Sequence, residues 1–203
     1  ASMPGADNRG IEVAVEENIV IGEFFALFEN DIADDYTGKW PRFRGVNYDN
    51  IVTERQDIKD NWSDADPEIR WTIELGEGHA GAAIYEGRVY ILDYIEESRE
   101  DALRCFSLSD GEELWRRSYG VHIKRNHGMS RTVPAVTERY VVTIGPRCQV
   151  MCVDRINGDF IWGLDMAKQY GVEVPQWYTA QCPLIDGDKA ILAPGGSSVA
   201  MIA

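Results

Sequence analysis

The sequence predicts an all-β fold, a β-propeller of four-stranded blades. The prediction depends on two observations. First, residues 105–115 (CFSLSDGEELW) recur as residues 152–162 (CVDRINGDFIW), forty-seven positions later and without a gap. Second, each copy places an Asp-Gly or Asn-Gly turn between apolar runs, which is the strongest short-range signal of a β-hairpin. A period of about 40–50 residues with four strands per unit is typical of a propeller blade.

The first part of the chain, residues 1–39, is predicted to be an N-terminal extension that is mostly extended. Apolar residues alternate with polar ones from Ile11, as in a half-buried strand. Residues 17–28 fit a strand or a helix, and Gly22 with several β-branched residues favours the strand. Residues 40–203 are predicted to be propeller blades, with the last of them incomplete.

The blades are predicted from successive apolar runs and turns. Residues 67–71 predict the last strand of an earlier blade, because Trp71 precedes Trp115 by 44 positions. The first complete repeat predicts strands at 79–85, 88–93, 103–108 and 112–116. The second predicts strands at 130–136, 139–145, 148–154 and 159–164, and the third has strands at 180–185, 189–194 and 199–203. About three blades cannot close a ring, so we expect the remaining blades in the same protein or in a second chain.

The repeated glycines and tryptophans have predicted structural roles. Gly111 and Gly158 supply the positive φ that a two-residue hairpin turn requires. Trp71, Trp115 and Trp162 are expected to lie across the gap to the neighbouring blade and to donate their indole N–H to its backbone. These five residues would dock each blade onto the next.

Composition and charge limit the function. The 203 residues carry a net charge of −14, which argues against binding to the phosphate backbone of nucleic acid. The sequence has no apolar run of about 18 residues, so no membrane span is predicted. The four cysteines do not suit a disulfide or a shared metal, since Cys148 and Cys152 are expected about 13 Å apart on one strand. We expect buried thiols that pack as small apolar residues.

Several motifs in order carry a resemblance to a known family. The pattern (L/V)xCxxxxxGxxxW, with Asp or Asn before the glycine, resembles the pyrroloquinoline-quinone (PQQ) repeat. The segments WPRFRG, GEGHAGAAIYEGRVYILDY, NHGMSRTVPAV, PQWYTAQCPLI and APGG are similar to those of bacterial PQQ-like propeller proteins. The resemblance covers residues 40–203. It implies a propeller of seven or eight blades in an exported, periplasmic or extracellular bacterial protein.

The resemblance leaves two functions open. The family includes non-catalytic scaffolds similar to the outer-membrane assembly lipoprotein, and quinoprotein alcohol dehydrogenases. The dehydrogenases have an adjacent cysteine pair over the quinone, and this sequence has no Cys-Cys pair. The first prediction is therefore a ligand- or protein-binding scaffold without assigned catalytic or metal-binding residues. The alternative is a dehydrogenase of alcohols or sugars, dependent on PQQ with Ca²⁺, whose site is completed by blades outside this chain.

A candidate binding site is predicted at the mouth of the propeller channel. The loops that enter each inner strand should meet there, and they contain residues 76–80, 124–131 and 175–181. Basic and amide side chains suit a small anionic ligand, and aromatic faces suit a carbohydrate. The alternative is that Arg125, Asn126 and Arg131 hydrogen-bond to neighbouring loops. The candidate ligand-binding residues are His79, Arg125, Asn126, His127, Arg131, Gln176, Trp177 and Gln181.

Overall fold

The computed structural model describes residues 18–30, 32, 36–53, 67–124 and 129–203, and its strands are paired in antiparallel sheets. The first sheet contains β1 (Phe24–Leu27), β2 (Lys39–Trp40), β3 (Ala83–Tyr85), β4 (Arg88–Ile95), β5 (Glu100–Ser107) and β6 (Glu113–Gly120). The second contains β7 (Ala135–Val136), β8 (Tyr140–Ile144), β9 (Gln149–Asp154) and β10 (Phe160–Asp165). Helix α1 (Met166–Tyr170) follows, and β11 (Leu184–Asp186) pairs with β12 (Lys189–Ile191).

The first blade is the meander β3-β4-β5-β6, in which each strand pairs with the next. Tyr90 and Leu92 on one face of β4 are buried, and so is Asp93 on the other face, so both faces of this strand are covered. The Asp-Gly pair lies in the turn between β5 and β6, with Gly111 at φ +78° as predicted. The predicted two-residue turn is wrong, because the Ser107 N–H donates to the Glu112 carbonyl and the loop contains residues 108–111. The first of the three predicted loops, residues 76–80, directly precedes this blade.

The second blade repeats the pattern with the order β7-β8-β9-β10, and its turn glycine, Gly158, has φ +71°. The third sheet is shorter: β11 and β12 form a hairpin, and Leu192 makes an isolated bridge with Ile202. The successive meanders confirm the predicted fold. The chain is an all-β protein built from β-propeller blades.

The core lies between the sheets in two clusters. One joins the first two blades and includes Tyr90, Trp115 and Tyr119 from the first and Met151 from the second. The other joins the second blade to the third hairpin and includes Ile144, Val150, Met166 and Leu192. Face-to-face packing of successive sheets, rather than one central core, therefore buries most of the apolar surface.

The structure corrects some predicted elements. Residues 67–71 are not in a strand, so the prediction of an earlier blade's last strand there is wrong. The strand preference for residues 17–28 is confirmed over β1, but β1 pairs with the outer edge of β6 and extends the first blade by one strand. The predicted strand from Ile11 lies outside the described residues. Helix α1 was not predicted.

The four cysteines are free thiols, and Cys105, Cys148 and Cys152 are buried. Burial raises the pKa of Cys152 to about 12 and, together with Asp165, that of Cys148 to about 11. These thiols are therefore protonated at neutral pH and pack as apolar groups. Among the described residues, no helix has the length and hydropathy needed to cross a membrane.

Candidate functional site

Two of the three predicted mouth loops run side by side. Gly78 forms a parallel bridge with Ser130. The backbone N–H of His79 donates to the Ser130 carbonyl at 2.7 Å, and that of Met129 donates to the Glu77 carbonyl at 3.3 Å. The loop before the first blade is thereby bonded to the loop before the second.

The third loop joins the second in a similar way. The Tyr178 hydroxyl accepts from the Lys124 N–H at 2.7 Å, and the Thr179 N–H donates to the Pro146 carbonyl at 3.0 Å. The Val133 N–H points to the Cys182 sulfur at 3.3 Å. The described parts of the three predicted loops are therefore bonded to one another in succession.

The predicted ligand-binding side chains have different surroundings within these loops. His79 and Gln176 are exposed, Trp177 is 47% exposed, and Arg131 is half-buried. Arg125, Asn126 and His127 lie outside the described residues. The exposed side chains are thus an imidazole in the first loop and an amide and an indole in the third.

Gln181 has a structural contact that the sequence did not reveal. Its amide nitrogen donates to the Ala193 carbonyl at 2.8 Å, and its amide oxygen accepts from the Ala193 N–H at 2.7 Å. Thr132, forty-nine positions earlier, donates in the same way to the carbonyl of Ile144 at 2.6 Å, and Ile144 is also forty-nine positions before Ala193. The side chain at this repeat position ties the inner strand to its neighbour. Alignment of the second and third repeats would have indicated this role.

A small cavity lies between the first two loops. It has a volume of about 40 Å³ and is lined by ten residues, among them Gly76, Glu77, Asp93 and Ser130. One of the Asp93 oxygens accepts from the Gly76 N–H at 2.7 Å. A cavity of this volume holds only a few water molecules, whereas pockets for drug-sized ligands are about 300–1,000 Å³.

Asp93 is also the inner end of a charge network on one face of the first blade. Its second oxygen forms an ion pair with Arg104 at 2.9 Å. Arg104 pairs in turn with Glu113 at 2.8 Å, and Glu113 with Arg116 at 2.7 Å. The two arginines hold the pKa of Glu113 below its usual value, although burial opposes them. The network neutralises carboxylates that would otherwise be costly to bury.

A second buried carboxyl, Asp101, was not singled out in the sequence. It is 1% exposed, and one oxygen accepts from the Tyr119 hydroxyl at 2.7 Å. Its other oxygen and the nearby Ser130 hydroxyl have no well-formed hydrogen bond to any described residue. Burial raises the pKa of Asp101 to about 7. No sequence pattern indicates this burial, because Asp101 follows a charged turn and resembles a solvated loop residue.

Two of the repeated tryptophans, Trp71 and Trp115, contact a glycine turn further along the chain. A Cβ built on Gly111 would lie 2.8 Å from Trp71 Cδ2, and one on Gly158 would lie 2.7 Å from Trp115 Cδ2. The Trp71 indole N–H donates to the Leu108 carbonyl at 2.9 Å. Trp162 is 36% exposed.

The equivalent indole hydrogen bond is absent at Trp115. Its buried N–H has no partner in the described chain, and the Tyr90 hydroxyl donates to the Arg155 carbonyl at 3.1 Å instead. Arg155 is forty-seven positions after Leu108 and therefore occupies the equivalent place. Trp71 and Trp115 thus make the same contact with a glycine, but the carbonyl accepts from the Trp71 indole in one case and from the Tyr90 hydroxyl in the other.

Comparison with known proteins places this arrangement in a family. The profile of the PQQ-repeat family described as outer membrane protein assembly factor BamB matches residues 51–203. The chain belongs to this PQQ-like propeller family. Comparison with curated proteins gives no significant match.

Two solved structures that match this chain are both dehydrogenases. A europium-containing methanol dehydrogenase matches with a TM-score of 0.54 and 16% sequence identity, over 78% of this chain and 28% of that chain. A quinohemoprotein alcohol dehydrogenase from Pseudomonas putida HK5 matches with a TM-score of 0.30 and 21% identity, over 43% of this chain and 13% of that one. The chain thus spans less than a third of the length of either protein. At 16% identity, the likeness to the methanol dehydrogenase concerns the fold alone.

Proposed function

We propose that this chain is part of a propeller scaffold that binds a ligand or a protein partner on its channel mouth and carries out no chemistry there. The contacts among the mouth loops are the main support. They bond to one another through backbone groups and leave a cavity of about 40 Å³ between the first two. A surface of this kind suits surface recognition better than enclosure of a cofactor.

The exposed side chains on this surface suggest the ligand. Trp177 offers a flat apolar face, which can stack on a sugar ring, and the exposed His79 and Gln176 offer polar groups on the first and third loops. Arg131 adds a cation that can pair with a carboxylate or a phosphate. A carbohydrate or a small anion is therefore the ligand class that we propose.

Two further features belong to this proposal. The tryptophan-on-glycine contacts would dock successive blades, and blades outside this chain would continue the ring. An exported location is in keeping with the PQQ-like family. Neither feature depends on the ligand at the mouth.

The competing function is a PQQ-dependent dehydrogenase, and a cofactor titration of the full-length protein separates the two. We expect no stoichiometric absorbance change when PQQ and Ca²⁺ are added, and no dye reduction with methanol, ethanol or glucose. An absorbance change at one equivalent with alcohol-dependent dye reduction would instead establish the enzyme.

The binding surface is tested by calorimetric titration of the same protein with maltose and with succinate. We expect one of the two probes to bind, and Trp177→Ala to weaken binding at least tenfold. Phe160→Ala, which removes a similarly exposed aromatic ring on the outer strand β10, is the matched control and should leave binding unchanged. Equal losses for both variants, or no binding of either probe, would contradict the proposed mouth site.

A further inference from the structure

The buried acid Asp101 lies at the contact between the first and second blades. It is at the start of β5, and its bonded oxygen lies so close to Gly145 that a Cβ built on that glycine would be 2.5 Å away. The same Cβ would also overlap the Tyr119 hydroxyl. The Asp101–Tyr119 pair therefore packs directly on the backbone of the second blade, just after β8.

The hydrogen-bond geometry around Asp101 is incomplete for an anion. Within the described residues, Tyr119 donates to one oxygen, while the other oxygen has no well-formed bond and no cation acts on the carboxyl. Burying an anion with so little compensation is costly, and the neutral acid avoids that cost. The site therefore favours the protonated form of Asp101.

We propose that Asp101 is a pH-sensitive latch: protonated, it joins the first blade to the mouth loop and to the second blade, and loss of its proton loosens that contact. Ser130 connects the latch to the mouth, since its backbone bridges Gly78 and its carbonyl accepts from His79. The latch is a property of blade packing and holds whether or not the mouth binds the proposed ligand.

The groups around the latch set the direction of its response. Burial is the largest influence and raises the pKa of Asp101 to about 7; Asp93 on β4 raises it further, and Tyr119 on β6 and Ser130 lower it. From the second blade, Asp165 and Cys148 act on Tyr119, whose own pKa is raised by burial above all. Because the pKa of Asp101 is higher in the folded protein than in the unfolded one, its protonation favours folding at acidic pH. This contribution decreases as the pH rises and is lost above about pH 7.

The test compares the wild-type protein with Asp101→Asn, since asparagine has the shape and the donor of the protonated acid. Equilibrium unfolding should give equal stabilities at about pH 3, where Asp101 is protonated in both the folded and the unfolded protein. Between about pH 4 and 7 the unfolding constant of the wild type should rise relative to that of the variant by about tenfold per pH unit, and then level off. Amide exchange at Gly145, as a wild-type to variant ratio at each pH, should increase over the same interval and report local opening even if global unfolding is irreversible.

Two further variants should shift the pH of the stability transition in opposite directions, which a merely structural role of Asp101 would not produce. Ser130→Ala should move the transition to higher pH, because it removes a group that stabilises the carboxylate, and Asp93→Asn should move it to lower pH. A constant stability difference between wild type and Asp101→Asn from pH 5 to 8 would overturn the latch. Identical pH profiles for Ser130→Ala and Asp93→Asn would overturn it too.

Discussion

At the scale of single residues, Gly158 combines two properties: a positive φ and close contact with a tryptophan ring. Gly158 adopts φ +71°, which an L side chain rarely adopts, and the Trp115 ring lies against its Cα. Gly187 occupies the corresponding turn of the third hairpin with φ +59°, but no atom lies within 4 Å of its Cβ position. A substitution at Gly187 therefore measures the cost of backbone strain alone, whereas one at Gly158 measures that strain together with the loss of ring packing.

We expect Gly158→Ala to destabilise the protein more than Gly187→Ala. Both substitutions introduce backbone strain of about 1–2 kcal/mol. Only the first also displaces a buried indole, which adds about 1–3 kcal/mol. Free energies of unfolding from denaturant titration measure the difference. If the two variants lost equal stability, the ring contact would contribute nothing to docking.

The sequence predicted the conformation of the turn glycines, but it did not predict the contacts of Gln181 and Asp101. The turn glycines follow from local φ requirements, which the sequence carries directly. The roles of Gln181 and Asp101 depend on which distant backbone each side chain meets, namely Ala193 for the first and Gly145 for the second. No local pattern encodes those contacts.

At the scale of elements, the first sheet differs from the second by two added strands, β2 beside β3 and β1 beside β6, and β1 is the longer of them. It adds a strand outside β6, and the segment before it reaches the second blade. Arg117 on β6 donates to the carbonyls of Gly22 and Gly158 at 3.2 and 3.0 Å, and its guanidinium lies 4.1 Å from the centre of the Phe25 ring. The added strand therefore helps to hold the two blades together.

We expect Phe25→Ala to lower the free energy of unfolding by about 1–2 kcal/mol, because it removes a cation–π contact and apolar packing near Gly158. Phe24→Ala is the matched control. Phe24 is similarly exposed, at 44% against 41%, but projects to the opposite face of the strand. Its loss should cost less than about 0.5 kcal/mol. A larger loss for Phe24→Ala would show that β1 is held by its other face.

The hairpins could be predicted because each is encoded within about 20 residues by its turn and flanking apolar runs. The pairing of β1 with β6 joins residues about 90 positions apart, and strand patterns do not specify a partner at that distance. Helix α1 is different, since its signals were present: Asp165 caps the helix by accepting from the Lys168 N–H, and Gly171 ends it with φ +61°. Its five residues were too few for the apolar period to stand out.

At the scale of the whole molecule, stability is distributed along the row of blades rather than concentrated in one centre. The central strands of the first two blades are buried on both faces, and cluster residues from both blades interdigitate between them. By contrast, β11 and β12 are mostly exposed or half-buried and form a hairpin with three paired positions. In propeller-like repeats each unit depends on its neighbours, so a unit with one covered face should open most easily.

We therefore expect amide hydrogen exchange of this chain by itself to follow a gradient. The amides of β5 and β9 should exchange only through global unfolding, whereas those of β11 and β12 should exchange at least a hundredfold faster through local opening. Leu192→Ala, which removes a buried side chain of the second core cluster, should accelerate exchange in the third hairpin and leave β5 unchanged. Met151→Ala is its counterpart in the first cluster and should accelerate exchange in both complete blades. Equal protection of β11 and β5 would show instead that the sheets unfold as one cooperative unit, and the blade-by-blade account of stability would be wrong.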